Sequence, residues 1–184
     1  MIGIVLAGGE SRRFGSPKAF ACHNGKQFYQ YAVEALAPHC AQTIIVARPE
    51  HRDRFPDCPT VLADLPEVAG QGPLAGILTV MDAAASDWYA VLPCDVPFAD
   101  DRIVELLTAE KTDGGPSAIE AAGIRHPLLS IWDRASARKI RSALAAGERS
   151  VRPLIRKWID GTGLLEEDPS IFDNVNRPGQ LEGR

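Results

Sequence analysis

The sequence predicts an α/β fold of three layers, in which a mainly parallel sheet is covered by helices on both faces. Short apolar runs rich in β-branched residues alternate along the chain with segments of helical periodicity. Three of these runs are closely followed by glycine or aspartate, at Gly8-Gly9, Asp64 and Asp95. Because ligands of such sheets bind outside the carboxyl ends of the strands, these polar endings predict one shared site.

The clearest strands lie in the first half of the chain. Apolar runs predict them at Ile2 to Leu6, Thr43 to Ala47, Thr60 to Ala63 and Trp88 to Leu92. The first run ends in a glycine pair, and the third stops at Asp64. The last ends in PCDVPF, where prolines flank Asp95 and fix the chain as it leaves the sheet.

Helices are predicted between and after these strands. The criterion is a helical spacing of apolar residues together with a residue that starts or ends a helix. It predicts helices from Phe28 to Leu36, Pro73 to Met81, Asp100 to Glu110 and Arg134 to Ala146. Pro38 follows the first of these helices, and Gly147 follows the last. Later in the chain, Ser117 to Ala121 and Pro127 to Trp132 predict two strands joined by a turn at Gly123. An amphipathic stretch covers Val151 to Ile159, and Ile171 to Val175 predicts a short strand.

The composition limits the classes of protein that this chain can represent. Its 184 residues, 45% of them hydrophobic, predict a single domain over residues 1–184. The net charge of −4 gives no general attraction for nucleic acid or an anionic membrane, so phosphate binding requires a local basic cluster. No apolar run approaches the roughly 18 residues of a membrane span, no CxxC pair occurs, and the first residues contain no charged leader. A cytoplasmic protein with reduced thiols is expected.

A basic cluster lies in the loop after the first strand, LAGGESRRFGSPK, from Leu6 to Lys18. The glycine pair lets the backbone approach a ligand so that its amides hold phosphate oxygens, while Arg12, Arg13 and Lys18 add positive charge. The loop is not a Walker A motif, which ends in Gly-Lys-Ser/Thr, and it is not GxGxxG, because Glu10 stands where the second glycine would be. The alternative interpretation is a structural turn with solvated charges.

Asp95 is a candidate ligand of Mg²⁺. A carboxylate held between prolines at a strand end is rigid, and Mg²⁺ takes one or two carboxylates together with substrate phosphates. A turn-capping role is the other interpretation, since aspartate is common in turns. The adjacent Cys94 has no evident histidine partner and is interpreted as a buried structural thiol.

Other polar positions each have two interpretations. Asp64 is either a ligand of a nucleotide ribose or base, or a turn residue. Asn174 and Asn176, in the last loop, either orient phosphate or metal-bound water or form ordinary turns. His126 is either a substrate ligand or a hydrogen-bonded residue at a strand start, and the remaining histidines lack the spacing of metal ligands.

Several segments, in this order along the chain, resemble the molybdenum cofactor guanylyltransferases: LAGGESRRFGSPK, QGPLAGI, PCDVPF, RHPLLSIW, LAAGERSVRPLI and NVNRPGQL. The resemblance covers essentially the whole chain and implies a Rossmann-like fold of the nucleotide-diphospho-sugar transferase type. LAGG followed by RxxGxxK is shared with the cytidylyl and sugar-phosphate enzymes of the wider nucleotidyltransferase superfamily, so it indicates only the reaction type. HPL, GERSV and NVN indicate the guanylyl branch.

The resemblance implies roles for the matching residues. Backbone groups at the end of the first strand contact the guanine nucleotide, Lys18 binds its phosphates, and Asp95 holds Mg²⁺. With the asparagines of the last loop, the predicted nucleotide site comprises Leu6, Ala7, Gly8, Gly9, Lys18, Asp64, Asp95, Asn174 and Asn176. The predicted catalytic residues are Arg13, Lys18 and Asp95. Where some members of the family have an asparagine after the second strand, this sequence has Ala47.

The reaction that the resemblance implies is transfer of GMP from GTP to molybdenum-bearing molybdopterin, with Mg²⁺ as cofactor and pyrophosphate as product. The terminal phosphate of the acceptor attacks the α-phosphorus in line, and Arg13 and Lys18 stabilise the leaving pyrophosphate. Arg149 and Arg152 are candidates for binding the acceptor's phosphate, with a solvated surface as the alternative. Transient contacts with cofactor-delivering proteins or molybdoenzymes are expected.

The sequence leaves two other functions open. One is a cytidylyltransferase acting on the same pterin or on another small phosphate. The other is a protein that binds GTP or the cofactor without turnover. Composition and spacing do not distinguish GTP from CTP, because backbone amides can recognise a base without any side-chain signature.

Overall fold

A sheet of seven strands forms the centre of the protein. The computed structural model describes residues 1–9, 14–56, 58 and 60–181. The strands in chain order are β1 (Ile2–Leu6), β2 (Cys22–His23), β3 (Lys26–Gln27), β4 (Gln42–Val46), β5 (Val61–Leu62), β6 (Trp88–Pro93), β7 (Ser117–Ala121), β8 (Ile124–Asp133) and β9 (Lys157–Asp160). The order across the sheet is β5-β4-β1-β6-β8-β7-β9, and β2 pairs separately with β3.

The sheet is mainly parallel, as predicted. β1 pairs in parallel with β4 on one side and with β6 on the other, so that Ile4 lies beside both Ile44 and Val91. Among the described strands of this sheet, only β8 runs antiparallel to its neighbours, β6 and β7. The carboxyl ends of β1, β4, β5 and β6 therefore meet at the same edge.

Helices cover both faces of the sheet, which confirms the predicted three layers. They are α1 (Phe28–Leu36), α2 (Pro73–Ala83), α3 (Asp101–Glu110), α4 (Ser136–Ala145) and α5 (Thr162–Glu167). Alternate residues of β1 enter different cores: Ile4 belongs to the core with α2 and α4, and Val5 to the core with α1 and α3. Burial on both faces explains why β1 is apolar throughout. No helix in the described part of the chain has the length and apolar character needed to cross a membrane.

The helix ends follow their sequence signals. Pro73 occupies the first turn of α2, where its missing N–H breaks no helical hydrogen bond. Asp100 caps α3 by accepting a hydrogen bond from the backbone N–H of Arg102 at 3.1 Å. Gly147, just beyond α4, has a φ of 81°, the left-handed conformation that ends many helices. The predicted bounds of these helices are therefore close to those observed.

The strand predicted at Ile171 to Val175 is wrong. The segment forms turns and irregular backbone, although Ile171, Phe172 and Val175 are buried. The N–H of Asp173 donates locally, to the carbonyl oxygen of Ser170 at 2.8 Å, and the N–H of Val175 donates to the carbonyl oxygen of Asp95, beyond the end of β6. A short apolar segment can thus fill the core without joining the sheet, and the sequence pattern is the same in both cases.

The structure contains several elements that the sequence did not predict. The amphipathic stretch from Val151 to Ile159 divides into a 3-10 turn at Arg152–Leu154 and the start of β9. β8 begins at Ile124, immediately after the turn at Gly123, and is longer than predicted. α5 and the β2–β3 hairpin were missed because each is too short to display a periodicity.

Replacing Ile77 with alanine is expected to lower the free energy of unfolding by about 2–5 kcal/mol, because removing a fully buried side chain from α2 leaves a cavity. Ile124→Ala is the matched control, since this side chain is 62% exposed, and it should change the free energy by less than about 0.5 kcal/mol. Urea denaturation of the two variants measures the difference. Equal losses would contradict the packing of α2 on the sheet.

Candidate active site

The carboxyl ends of β1, β4, β5 and β6 open onto a cavity of about 800 Å³. This is the edge at which the strand endings predicted a shared site. The predicted site residues that line the cavity are Leu6, Ala7, Gly8, Gly9, Lys18, Asp64, Asp95 and Asn176. Arg13 lies outside the described residues, whereas Asn174 is described and does not line the cavity.

Lys18 connects distant parts of the chain within this cavity. Its Nζ donates hydrogen bonds to Oδ2 of Asp95 at 3.0 Å and to Oδ1 of Asn176 at 2.6 Å. The lysine side chain is 12% exposed and the aspartate side chain 24% exposed. Charges so largely withdrawn from water interact more strongly than a surface pair does. The structure therefore joins residues that the sequence placed in three separate motifs.

Asp95 also presents a second carboxylate oxygen. Its Oδ1 is buried and receives no hydrogen bond from the described part of the chain. A buried carboxylate oxygen that accepts no hydrogen bond costs free energy unless a ligand binds to it. Carboxylate oxygens are ligands that Mg²⁺ prefers. Among residues 1–9, 14–56, 58 and 60–181, no cluster of three or more His, Cys, Asp or Glu side chains could hold a metal alone. The site therefore fits a cation shared between Asp95 and substrate phosphates.

The C-terminal segment is attached to the end of β6 by hydrogen bonds. The N–H of Val175 donates to the carbonyl oxygen of Asp95 at 2.8 Å. Oε1 of Gln180 accepts from the N–H of Asn176 and from that of the next residue, at 2.7 and 2.9 Å. Asn174 is exposed, and its backbone carbonyl accepts from Nε2 of Gln180 at 3.4 Å. Gln180 thus fixes the last loop, a role for which a single glutamine gives no sequence signal.

Asp64 lines the cavity and also holds its own loop. Its Oδ2 accepts a hydrogen bond from the N–H of Gly70 at 3.0 Å. The N–H of Leu65 donates to Oγ1 of Thr79 at 2.9 Å, and that hydroxyl donates to the carbonyl oxygen of Ala75 in α2 at 2.9 Å. The loop after β5 is therefore attached to α2. Asp64 combines a turn role with a place in the cavity, so both interpretations drawn from the sequence are compatible with the structure.

Several lining residues have no counterpart among the predicted ones. Arg48, Pro49 and Glu50 follow closely after β4, and Leu128 comes from β8. Nε of Arg48 donates to the carbonyl oxygen of Gly8 at 3.3 Å, which attaches this segment to the glycine turn. The sequence could have indicated Arg48 and Glu50, because these two opposite charges closely follow a predicted parallel strand. Leu128 had no such signal, because its apolar run predicts only a strand.

Neither Cys94 nor His126 has the environment of a nucleophile or a general base. Cys94 is buried, and burial raises the pKa of its thiol to about 12. His126 is partly buried, and its ring stacks on that of Phe172 with the centroids 4.9 Å apart. Burial lowers the pKa of His126 below its ordinary value. The Cys94 thiol is therefore protonated near neutral pH, and His126 lies outside the lining of the cavity, in agreement with structural roles.

Arg149 lies next to the cavity but outside its lining. Gly72, which lines the cavity, has a φ of 80°, and a Cβ at its position would lie 3.0 Å from the carbonyl oxygen of Arg149. Arg149 is itself exposed, as is Arg152. The structure thus places the backbone of Arg149 beside Gly72 of the cavity lining, and the residue as a whole is exposed.

A cavity at the edge of a parallel sheet, lined by a glycine turn, a lysine and a strand-end aspartate, is typical of enzymes that bind nucleotides. Residues 3–162 match the family model described as the MobA-like NTP transferase domain. The chain belongs to this family and is a nucleotidyltransferase.

Curated relatives match over nearly the whole chain. A Geobacillus sp. (strain WCH70) protein named "Probable molybdenum cofactor guanylyltransferase" is 38% identical, and the match covers 99% of this chain and 96% of the relative. A protein of the same name from Halalkalibacterium halodurans is 32% identical, with 98% and 95% covered.

Solved structures share the fold. The crystal structure of "Molybdopterin-guanine dinucleotide biosynthesis protein A" from Archaeoglobus fulgidus has a TM-score of 0.80 at 24% identity, covering 99% of this chain and 95% of that one. The 2-C-methyl-D-erythritol 4-phosphate cytidylyltransferase of Thermus thermophilus has a TM-score of 0.70 at 13% identity, covering 97% and 94%. The predicted fold type is therefore confirmed.

In the folded protein at pH 8, Cys94 is expected to resist alkylation by iodoacetamide. Its pKa of about 12 leaves roughly one thiolate in 10,000, and the side chain is buried. Cys22 is exposed and is expected to react first. Mass spectrometry of peptides after timed labelling measures both rates. Labelling of Cys94 as fast as that of Cys22 would contradict its structural role.

Proposed function

We propose that this protein transfers GMP from GTP to the terminal phosphate of molybdenum-bearing molybdopterin, forming the guanine dinucleotide cofactor and releasing pyrophosphate. The observation that supports this most directly is the ion pair between Lys18 and Asp95, because a phosphate-binding cation and a metal-binding carboxylate lie side by side beneath the glycine turn. The relatives at 38% and 32% identity are named for this activity. We also propose that residues 1–184 form one domain and that the protein acts in the cytoplasm.

The order of the strands favours one placement of GTP. Asp95 follows β6, whereas Ala47 follows β4 and Asp64 follows β5. Neighbouring strands lie about 4.8 Å apart, so the end of β6 is about 10 Å from that of β4, with β1 between them. A triphosphate held at Lys18 and Asp95 then extends its ribose and base toward β4 and β5. Asp64 lies on that side, where it contacts the ribose or the base.

The proposed reaction is an in-line displacement at the α-phosphorus. An oxygen of the acceptor's terminal phosphate bonds to this phosphorus, and the bond to the oxygen bridging to the β-phosphate breaks, so that pyrophosphate leaves. Mg²⁺ held by Asp95 would neutralise charge on the phosphate oxygens. Lys18 places its ammonium beside the leaving group, and we assign Arg13 the same role. The acceptor's phosphate is already ionised, so no side chain has to act as a general base.

The remaining residues position these groups. Asn176 holds Lys18 through its Oδ1, and Asn174 contributes to the same loop through its backbone carbonyl. GTP and a molybdopterin-type phosphate are the proposed substrates, and proteins that deliver or receive the cofactor are the proposed transient partners. A net charge of −4 gives no general attraction for nucleic acid or an anionic membrane.

Pyrophosphate release in the presence of Mg²⁺, each of the four nucleoside triphosphates and the molybdopterin acceptor tests the proposal. Release is expected with GTP. Release with CTP in its place would replace the assignment with a cytidylyltransferase. Nucleotide binding without release for any acceptor would favour a protein that binds GTP or the cofactor without turnover.

The Asp95→Asn variant extends the same experiment. Asparagine still accepts a hydrogen bond from Lys18 but lacks the charge that attracts a cation, so the rate of pyrophosphate release is expected to fall about 100-fold or more. Asp100→Asn is the matched control, because asparagine caps α3 as well as aspartate does, and its rate should stay within about twofold. Equal rates in the two variants would remove Asp95 from the mechanism.

Arg149→Ala is expected to raise the KM for the acceptor about 10-fold and to leave the Kd for GTP unchanged, because a charged hydrogen bond to the acceptor's phosphate is lost. Steady-state kinetics with varied acceptor measures the first quantity and calorimetry the second. Arg138→Ala, at another exposed arginine, is the control. An unchanged KM for the acceptor would show that Arg149 is only a solvated surface residue.

A further inference from the structure

Arg48 and Glu50 form a charged pair in the lining of the cavity, just beyond the end of β4. Nη1 of Arg48 lies 3.6 Å from Oε1 of Glu50, and the two side chains are 36% and 58% exposed. Nε of Arg48 donates to the carbonyl oxygen of Gly8 at 3.3 Å. A guanidinium attached to the glycine turn and a neighbouring carboxylate therefore border the same space.

We propose that this pair recognises the guanine base of GTP, an inference that rests on the proposed function. Guanine presents O6 and N7 as adjacent acceptors, which an arginine fork matches, and N1–H and the 2-amino group as adjacent donors, which a carboxylate matches. O6 lies between N7 and N1 on the rim of the base. The guanidinium and the carboxylate that bind guanine in this way must lie side by side, as Arg48 and Glu50 do.

The place of the pair in the sheet supports the assignment. Lys18 and Asp95 lie where β1 and β6 end, and β4 is the neighbour of β1 on the side away from β6. Because the cavity extends from Asp95 past the glycine turn to the segments after β4 and β5, a nucleotide with its phosphates at Asp95 has room for its base on the β4 side. The pair is therefore at the base end of the cavity.

Few other side chains at that end can recognise a base. Among the described residues that line the cavity after β4 and β5, Ala47 and Ala63 have no polar side-chain atoms. Asp64 is polar, and its Oδ2 accepts the N–H of Gly70, but a carboxylate has no donor for O6 or N7 of the base. Polar recognition by side chains on this side of the cavity thus falls chiefly to Arg48 and Glu50.

The local backbone restrains the positions from which the two side chains extend. Arg48 is extended, with φ −65° and ψ 146°, and it caps the 3-10 segment Pro49–Arg54. Its carbonyl oxygen accepts a hydrogen bond from the N–H of His51 at 2.9 Å. Pro49, between the pair, has a φ restricted by its ring. Both charged residues therefore lie in a short turn whose backbone is already restrained. This lowers the conformational entropy that the protein loses when it binds the base.

Binding of GTP and ITP to the protein with Mg²⁺, measured by calorimetry without acceptor, tests the role of Glu50. Hypoxanthine differs from guanine only by lacking the 2-amino group, so the wild-type protein is expected to bind GTP about 10-fold more tightly than ITP. In Glu50→Ala this ratio should fall to within about twofold. Glu67→Ala is the matched control: Glu67 also follows a proline in a 3-10 turn and is exposed, but it does not line the cavity, so the ratio should stay near its wild-type value.

The role of Arg48 is tested with 7-deaza-GTP, which lacks the N7 acceptor. The wild-type protein is expected to prefer GTP over this analogue about 10-fold, and Arg48→Lys, which keeps the charge but not the fork, should reduce the preference to within about twofold. Thermal denaturation of each variant checks that the protein is folded.

The outcomes separate this inference from the proposed function. A GTP to ITP ratio that Glu50→Ala leaves unchanged, or that is already near one in the wild-type protein, overturns the inference, even if GTP and the acceptor yield pyrophosphate. A ratio that collapses only in Glu50→Ala supports the inference, even if the protein releases no pyrophosphate and the proposed transfer fails.

Discussion

The position of β1 between β4 and β6 is the constraint on which the site depends. Parallel pairing on both sides makes all three strands end at one edge of the sheet. The pairing continues beyond the strands, since the N–H of Ala7 donates to the carbonyl oxygen of Val46 and the N–H of Cys94 donates to that of Leu6. Asp95 is thus set by the same hydrogen-bonded ladder as the glycine turn.

The charges inside the cavity are only partly balanced. Lys18 neutralises one oxygen of Asp95 and bonds Asn176, while the other oxygen of Asp95 is buried without a donor from the described residues. A buried ion pair adds little to stability, because removing both charges from water opposes their attraction. The arrangement is therefore better explained by what it binds. Under the proposed function, a cation would bind the second oxygen of the carboxylate, and anionic phosphates would bind the ammonium.

Hydrophobic patterning was sufficient to predict most of the fold. β1 was predicted correctly because a strand buried on both faces appears in the sequence as an unbroken apolar run. α2 was predicted correctly because its apolar residues recur at helical spacing after a proline that starts the helix. The same criterion failed at Ile171 to Val175, where burial occurs without strand pairing, and at α5, which is too short to show a period. Among the site residues, Asp95 was found because its motif is local, whereas Gln180 was not, since its contacts depend on where the chain returns.

The sequence by itself determined the alternation of strands and helices, the glycine turn and the strand-end carboxylate, because each follows from local dihedral preference or from periodic burial. Only the tertiary structure decided that Lys18, Asp95 and Asn176 meet, since residues 77 and 158 positions apart are brought together by strand order and not by spacing. It also decided which charges border the cavity beyond β4. In the sequence, Arg48 and Glu50 resemble any surface pair, but in the fold both line the cavity and Arg48 bonds to Gly8.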